Sequence, residues 1–390
     1  MIGVLIFAIV LAIAVLLSDL AHRSILSTAV LFLLAGFVVG DGVLGLLPIQ
    51  ATDPVVARLA ELALFSVLFT DGMKVGAREL LSAWHLPGRA LLLGLPLTLF
   101  ATAAMAHWVA GLSWVPALLV GAVLSPTDPV FAAAIVGREE IPRRLRHLLN
   151  VESGLNDGLA LPLVIMLLAL SSQTHVSGLT LVTELAAGVV LGVVLPWAGA
   201  KIEQSRFFAV GHNYEPLYAF AIGMLVYSIS VLSHANTYLA AFAAGVTVAT
   251  VSSDLRDEFH RFGETVAELF KLAALMVFGA LISPQFLKEI PWSGYLFCFL
   301  ALLLARPAAL LLSLIGSELS WRERITAAWF GPKGFASVVY GLLILQAGVA
   351  LSDEMFHLIG IVVAASIVAH SSTDVPLARW FRAREPEHAA

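Results

Sequence analysis

Cysteine is almost missing from this chain. Cys298 stands alone in an apolar run, so no internal disulfide and no cysteine-rich metal site can form. Charge is scarce too: Asp, Glu, Lys and Arg make up 13% of the residues, about half their share in a soluble globular domain. The net charge of −5 is small, and no basic tract suits nucleic acid. A glycine-rich phosphate loop and a helical histidine pair for zinc are both lacking. The expectation is therefore a protein that is not an enzyme and carries no cofactor. What is plentiful is apolar: with 59% hydrophobic residues and a mean hydropathy of +0.93, the chain reads as an all-α polytopic protein of the cell or inner membrane. Its first apolar run begins at Met1 without a basic leader or a small-residue cleavage site, and is expected to be a retained span.

Apolar windows fall near 1–17, 24–40, 55–72, 88–108, 114–136, 148–170, 179–199, 216–232, 236–252, 264–283, 293–315, 324–346 and 354–371, about thirteen spans in all. Loop charge tests this count. One set of alternate loops carries Arg23, then Lys74, Arg78 and Arg89, then Arg138, Arg143, Arg144 and Arg146, then Lys201 and Arg206. The same set continues with Arg256 and Arg261, Arg322 and Arg324, and the tail residues Arg379, Arg382 and Arg384. The opposite loops carry Lys288 alone. The positive-inside rule then places the amino terminus outside and the carboxyl terminus in the cytoplasm. Arg58, Lys271, Arg306 and Lys333 are left over, all within spans.

Two spans are interrupted by residues that a helix tolerates badly: Ser125-Pro126-Thr127-Asp128-Pro129 in the fifth and Gly331-Pro332-Lys333-Gly334 in the twelfth. Proline removes a backbone donor and clashes with the preceding turn, and glycine costs about 1 kcal/mol in a helix interior, so both spans are expected to break near mid-bilayer. They run in opposite directions, as in an inverted repeat whose broken helices meet at a central site, with spans 4–6 and 11–13 as the paired halves. Half-helix ends carry partial charge, and Asp128 and Lys333 are suited to neutralise them.

Acids inside such spans are costly unless paired, protonated or facing water, so Asp128, Glu152 and Asp157 point to function. At about 100 degrees per residue, Ser153 and Asp157 share one helical face, while Glu152 and Asn156 share another. Ser153 and Asp157, with Asp128 and the freed carbonyl of Thr127, offer hard oxygen ligands suited to an alkali cation. Glu152 is turned away and needs a different partner. Arg306 in the eleventh span, charged at any working pH, is the candidate, and the pair is assigned to structure. A desolvated acid beside a second acid can hold a proton or a small cation but gains little from both, so an obligatory swap of the two is expected.

These motifs together, Ser-Pro-Thr-Asp-Pro, Glu-Ser-Gly-Leu-Asn-Asp-Gly and Gly-Pro-Lys-Gly, resemble the cation/proton antiporter superfamily, in its Asn-Asp branch of NhaP-type and sodium/hydrogen exchanger proteins. The resemblance covers essentially the whole chain. It implies a homodimeric exchanger working by alternating access. A core of residues 88–170 and 293–371 would move against a scaffold of 1–72 and 216–283, with 179–199 as the linking span and 372–390 as a short cytoplasmic tail. It further implies that Asp157 and Asp128 bind Na+ or Li+ in exchange for H+, that Ser153 and the Thr127 backbone complete the site, and that Asn156 supports it. Members with an acid in place of Asn156 tend to be electrogenic, so electroneutral exchange of one cation per proton is expected, in the service of sodium and pH homeostasis. K+/H+ exchange is the alternative within the superfamily. Many relatives carry Arg where this chain has Lys333, which leaves a direct role for the lysine open.

Asp71, in Phe69-Thr70-Asp71-Gly72, matches a position where an acid contributes to the ion route, with a solvated helix-end acid as the competing reading. Glu61 has no evident partner and reads either as a structural acid or as a lining residue. Glu264, Glu268 and Lys271 share a helical face, as in an interfacial cluster, and His147 reads as an interfacial histidine. Two more distant functions compete. An intramembrane aspartyl protease also needs two acids on neighbouring spans, but the glycine preceding its aspartate is missing and broken inverted spans have no place in that chemistry. A cation channel requires a filter-like run of carbonyls, which the sequence lacks.

Overall fold

A computed structural model describes residues 2–17, 27–74, 86–128, 141–171, 177–203, 211, 214–251 and 253–382. Among the described residues there are helices and no strands. In chain order the helices are α1 (Ile2–Leu16), α2 (Thr28–Val39), α3 (Pro54–Lys74), α4 (Leu86–Trp108), α5 (Trp114–Leu124), α6 (Arg143–Ser171) and α7 (Gly178–Glu203). They continue with α8 (Glu215–Leu232), α9 (Thr237–Val251), α10 (Ser253–Leu281), α11 (Trp292–Ser313), α12 (Trp321–Trp329), α13 (Phe335–Gln346) and α14 (Ser352–Arg382), and a short helix Pro284–Glu289 precedes α11. Every apolar window holds one of these helices, and the twelfh window holds both α12 and α13. The helices α4, α6, α7, α8, α11 and the Ser352–Thr373 part of α14 are each long and apolar enough to cross a bilayer.

Several boundaries differ from the sequence reading. Helix α3 runs on to Lys74, so this lysine stands on the helix rather than in the following loop. Helix α10 starts at Ser253, well before the apolar window, because its amphipathic first turns continue the same helix. Helix α14 reaches Arg382 through Pro376, which makes much of the expected tail helical. The second half of the fifth window, residues 129–136, lies outside the described residues.

Helices α4 and α11 each contain one wide turn, at Ala90–Gly94 and Ala301–Ala305. Both follow the same pattern, Ala-Leu-Leu-Leu and a small residue, with Pro96 or Pro307 two positions further on. A proline cannot donate to the preceding turn and crowds it, and a widened turn absorbs the misfit. In α4 the Leu95 amide accordingly bonds back to the Ala90 carbonyl. The two helices pack against each other, as a matched pair from two halves of an inverted repeat would.

Packing then sets the centre. Helix α13 and the middle of α6 are enclosed: Phe335 to Leu342 and Val151 to Gly158 are all buried. By contrast α7 lies on the perimeter, with Val182, Val189, Val190, Val193, Val194 and Trp197 exposed. Helix α7 packs on α9, α3 packs chiefly on α9 and α10, and α10 packs on α2.

Three arginines that the sequence reading put in loops, Arg89, Arg144 and Arg324, stand in the first turns of α4, α6 and α12 and gather around residues 315–323. Arg89 Nη1 donates to the Ile315 carbonyl (3.0 Å), and Arg324 binds the carbonyls of Leu319 (3.0 Å) and Ser317 (2.7 Å). Arg144 grips Glu323 with two bonds, Nε to Oε1 (2.6 Å) and Nη2 to Oε2 (2.7 Å), and also reaches the Glu318 carbonyl (3.1 Å). Ser320 and Glu323 form a capping box at the start of α12. Burial pushes the Glu323 carboxyl up, but the bonds from Arg144 and Ser320 outweigh it and hold the group below its ordinary value. An acid depressed in the fold stabilises above its unfolded value, and that contribution is lost as the pH falls through the folded one. Glu323→Gln should therefore lower the melting temperature most near neutral pH. The gap to wild type should close on acidification below about pH 4.3, the ordinary glutamate value; a constant gap would show that the carboxylate charge is not what matters.

Candidate functional site

The two interruptions cross one another. After Leu124 the chain leaves the helix, and residues 126–128 are non-helical; between Trp329 and Phe335 residues 330–334 are likewise unwound. The Asp128 amide donates to the Pro332 carbonyl (2.9 Å), and the Phe335 amide donates to Asp128 Oδ2 (3.0 Å). Asp128 thus places its carboxylate at the positive amino end of α13. Lys333 does the converse: its Nζ lies 3.3 Å from the carbonyls of both Ser125 and Pro126, at the negative carboxyl end of α5. Each charge compensates the helix end of the other span. Ser337 Oγ adds a bond to the Val123 carbonyl (2.8 Å).

The glycines of Gly-Pro-Lys-Gly are what allow so close a crossing. A Cβ on Gly334 would sit 2.1 Å from both Cβ and Oδ2 of Asp128, and one on Gly331 would sit 1.5 Å from Arg306 Nε. Gly334→Ala should therefore cost about 1–3 kcal/mol, the price of overpacking, and lower exchange with it. Melting temperature and flux test this beside Gly178→Ala, whose added carbon meets nothing within 4 Å. Equal behaviour of the two variants would refute the crossing as drawn.

Facing the crossing is the buried middle of α6. Asn156 Nδ2 donates to Thr127 Oγ1 (2.6 Å), which also pairs with Ser153 Oγ (3.1 Å). The structure therefore engages the Thr127 hydroxyl, where the sequence reading used its carbonyl. Asn156 Oδ1 is buried without a hydrogen-bond partner. Asp157 is 3% exposed, and the charges acting on it are Asp71, Asp128 and Lys333. Among the described residues no hydrogen bond or ion pair reaches the Asp157 carboxylate; the Tyr340 hydroxyl donates to its backbone carbonyl (3.3 Å).

Glu152 turns away from this group, as its helical angle requires. Arg306 Nη1 and Nη2 grip its two oxygens at 2.7 and 3.1 Å, and Nη2 also donates to the Phe330 carbonyl (3.1 Å) at the end of α12. Both side chains are buried. The pair ties α6 and α11 to the unwound stretch.

Asp71 is 2% exposed and is not a solvated helix-end acid. It enters the electrostatic neighbourhood of Asp128 and Asp157, while Lys74 holds its Oδ1 at 3.0 Å. The interfacial cluster on α10 is also rearranged: Lys271 is buried and pairs with Glu268 (2.6 Å), whereas Glu264 reaches Lys74 on α3 (3.4 Å). Glu61 finds Arg58 at 2.8 Å. Sequence reasoning missed Ser366 and His370, one turn apart on α14. Ser366 Oγ accepts the Lys333 amide (2.7 Å), His370 Nδ1 lies 3.1 Å from that hydroxyl, and His370 Nε2 lies 3.0 Å from the Trp329 carbonyl. They span both ends of the unwound stretch, and their i, i+4 spacing in an apolar helix was the available signal.

Buried carboxylates at crossed, unwound helix breaks within a multi-pass helical bundle define an ion-coupled membrane transporter of the discontinuous-helix class. The chain belongs to the sodium/hydrogen exchanger family, whose transmembrane model matches residues 7–380. The K(+)/H(+) antiporter NhaP of Alkalimonas amylolytica is 26% identical over 391 residues, which covers 99% of this chain and 68% of that protein. A probable Na(+)/H(+) antiporter of Schizosaccharomyces pombe, C3A11.09, is 28% identical over 323 residues, or 76% of this chain and 42% of that one. The fold is that of the sodium proton antiporter MjNhaP1 from Methanocaldococcus jannaschii at pH 8, with a TM-score of 0.80 at 21% identity over 97% of this chain and 98% of that one. The family is one of multi-pass cation/proton antiporters, which are transporters and not enzymes; such antiporters need no cofactor, and the transported ions are the substrates.

Proposed function

We propose that this chain exchanges Na+ for H+ at Asp157, one for one, by alternating access across the cell or inner membrane. One observation carries the reading. Of the four acids around the crossing, Glu152 is held by Arg306, Asp71 by Lys74 and Asp128 by the Phe335 amide, whereas the Asp157 carboxylate has no fixed partner among the described residues. A buried carboxylate without a fixed counter-charge must be neutralised by something mobile. A proton and an alkali cation both serve, and each excludes the other. Asp128, the Ser153 and Thr127 oxygens and the unpartnered Asn156 Oδ1 supply the hard ligands that a dehydrated cation needs. Asp71 joins from the route side. Thirteen spans with the amino terminus outside agree with the gathering of Arg89, Arg144 and Arg324 at one end. On this reading residues 88–170 and 293–371 move as the core against the scaffold, in a homodimer.

K+ is the second reading, favoured by the K(+)/H(+) assignment of the relatives that match nearly the whole chain. Proteoliposomes subjected to a pH jump with Na+, Li+ and K+ in turn decide between them. Exchange should be saturable in the preferred cation and insensitive to a clamped membrane potential. Conduction without proton coupling would overturn the antiport reading, and clear voltage dependence would reject one-for-one exchange.

A further inference from the structure

Lys74 plays no part in the exchange chemistry just described, yet it stands at the threshold of the site. Its ammonium lies 3.0 Å from Asp71 Oδ1 on the same helix and 3.4 Å from Glu264 Oε1 on α10. Exposure rises along this line: the side chains are 3% exposed at Asp71, 23% at Lys74 and 45% at Glu264. The other Asp71 oxygen, Oδ2, is buried with no hydrogen-bond partner. The further charges acting on Asp71 are Asp128, on the site side, and Lys271, itself paired with Glu268 at 2.6 Å. Asp71 acts on Asp157 and Asp128 as a neighbouring charge.

A lysine ammonium is a compact, strongly hydrated monovalent cation on a flexible four-carbon stem. It is the tethered counterpart of an alkali ion. This ammonium bridges a buried acid and a half-exposed one at once, so a small shift of the side chain weights it toward either. We infer that Lys74 is a built-in competitor cation: it occupies Asp71 when the cargo is absent and moves to Glu264 when a cation arrives from the arginine-rich side. A positively charged group that yields its acid to the cargo keeps Asp71 neutralised at every stage. It also prevents the cargo from resting there, which speeds release to that side. Lys74 is thus a specificity and release residue, acting through Asp71 rather than on the exchanged ions.

This inference rests on the exchange reading, and the test separates the two. Oriented proteoliposomes of wild type, Lys74→Gln, Lys74→Arg, Glu264→Gln and Asp157→Asn are assayed for cation-dependent proton flux, with the cation varied on the arginine-rich side. Lys74→Gln removes the competitor, so the KM for the cation on that side should fall roughly threefold or more, the size expected for a partly exposed ion pair, and maximal turnover should fall with it. Glu264→Gln removes the charge that draws Lys74 away from Asp71 and weights Lys74 toward Asp71, so the same KM should rise. Lys74→Arg keeps the charge and should stay closer to wild type than Lys74→Gln. A merely structural role would not move KM in opposite directions in the two neutral variants. If wild type exchanges but both variants keep its KM, or shift it in the same direction, the competitor role is overturned. If wild type shows no cation-dependent proton flux, it is the exchange reading that fails. Should Lys74→Gln fail to fold, the half-exposed Glu264→Gln alone decides: an unchanged or lowered KM refutes the inference.

Discussion

Asp157→Asn should abolish exchange while leaving a folded protein in the membrane. The substitution keeps the size and shape of the side chain and removes both its charge and its proton. Little structural loss is expected, because the fixed bond at this position is made by the Asp157 backbone carbonyl, which accepts from Tyr340, and not by the carboxylate. What disappears is the acid at the crossing whose carboxylate has no fixed protein partner among the described residues. Flux should fall by about a hundredfold or more, the scale seen when a principal ion-binding or catalytic group is removed. Asp128→Asn is the instructive contrast. Its carboxylate also caps α13 through the Phe335 amide, so that variant should lose stability as well as flux. Melting curves in detergent and pH-jump flux in proteoliposomes measure both quantities. Appreciable cation-dependent proton flux in Asp157→Asn would remove Asp157 from the centre of the proposal.

The difference between these two aspartates was only partly legible in the sequence. That Glu152 and Arg306 belong together follows from cost alone, since neither charge is tolerable by itself in a span and helical rotation separates Glu152 from Asp157. Broken fifth and twelfth spans follow from proline and glycine chemistry, and charge compensation at the breaks from the helix dipole. The reciprocity was not readable: Asp128 serves α13 and Lys333 serves α5, a fact of three-dimensional crossing between segments far apart in the chain. For the same reason Gly331 and Gly334 read as helix breakers, whereas in the fold they also make room for Arg306 and Asp128. Asp71 was ambiguous because its burial depends on α9 and α10, which no local pattern reveals. The matching Ala-Leu-Leu-Leu segments of α4 and α11 were in plain view. A scan for short-period repeats does not reach two copies in opposite halves of the chain.

Arg306→Ala should be the most destabilising single change at the site. It leaves the buried Glu152 carboxylate without its two guanidinium bonds and the Phe330 carbonyl at the end of α12 without its donor. Breaking a buried pair from one side costs about 3–5 kcal/mol, chiefly because the remaining charge is stranded. Glu152→Ala strands the guanidinium in the same way, although Arg306 keeps Phe330. It should therefore cost somewhat less. The double variant Glu152→Leu with Arg306→Leu removes both charges and restores apolar volume, so it should recover much of the loss, as replacement of buried ion pairs by apolar residues often does. Flux divides the roles: if the pair is a brace, whatever fraction of the double variant remains folded should still exchange cation for proton, with KM near that of wild type. A double variant that is stable and inactive would instead make Glu152 part of the ion pathway. Single alanine variants melting at the wild-type temperature would dismiss the brace altogether.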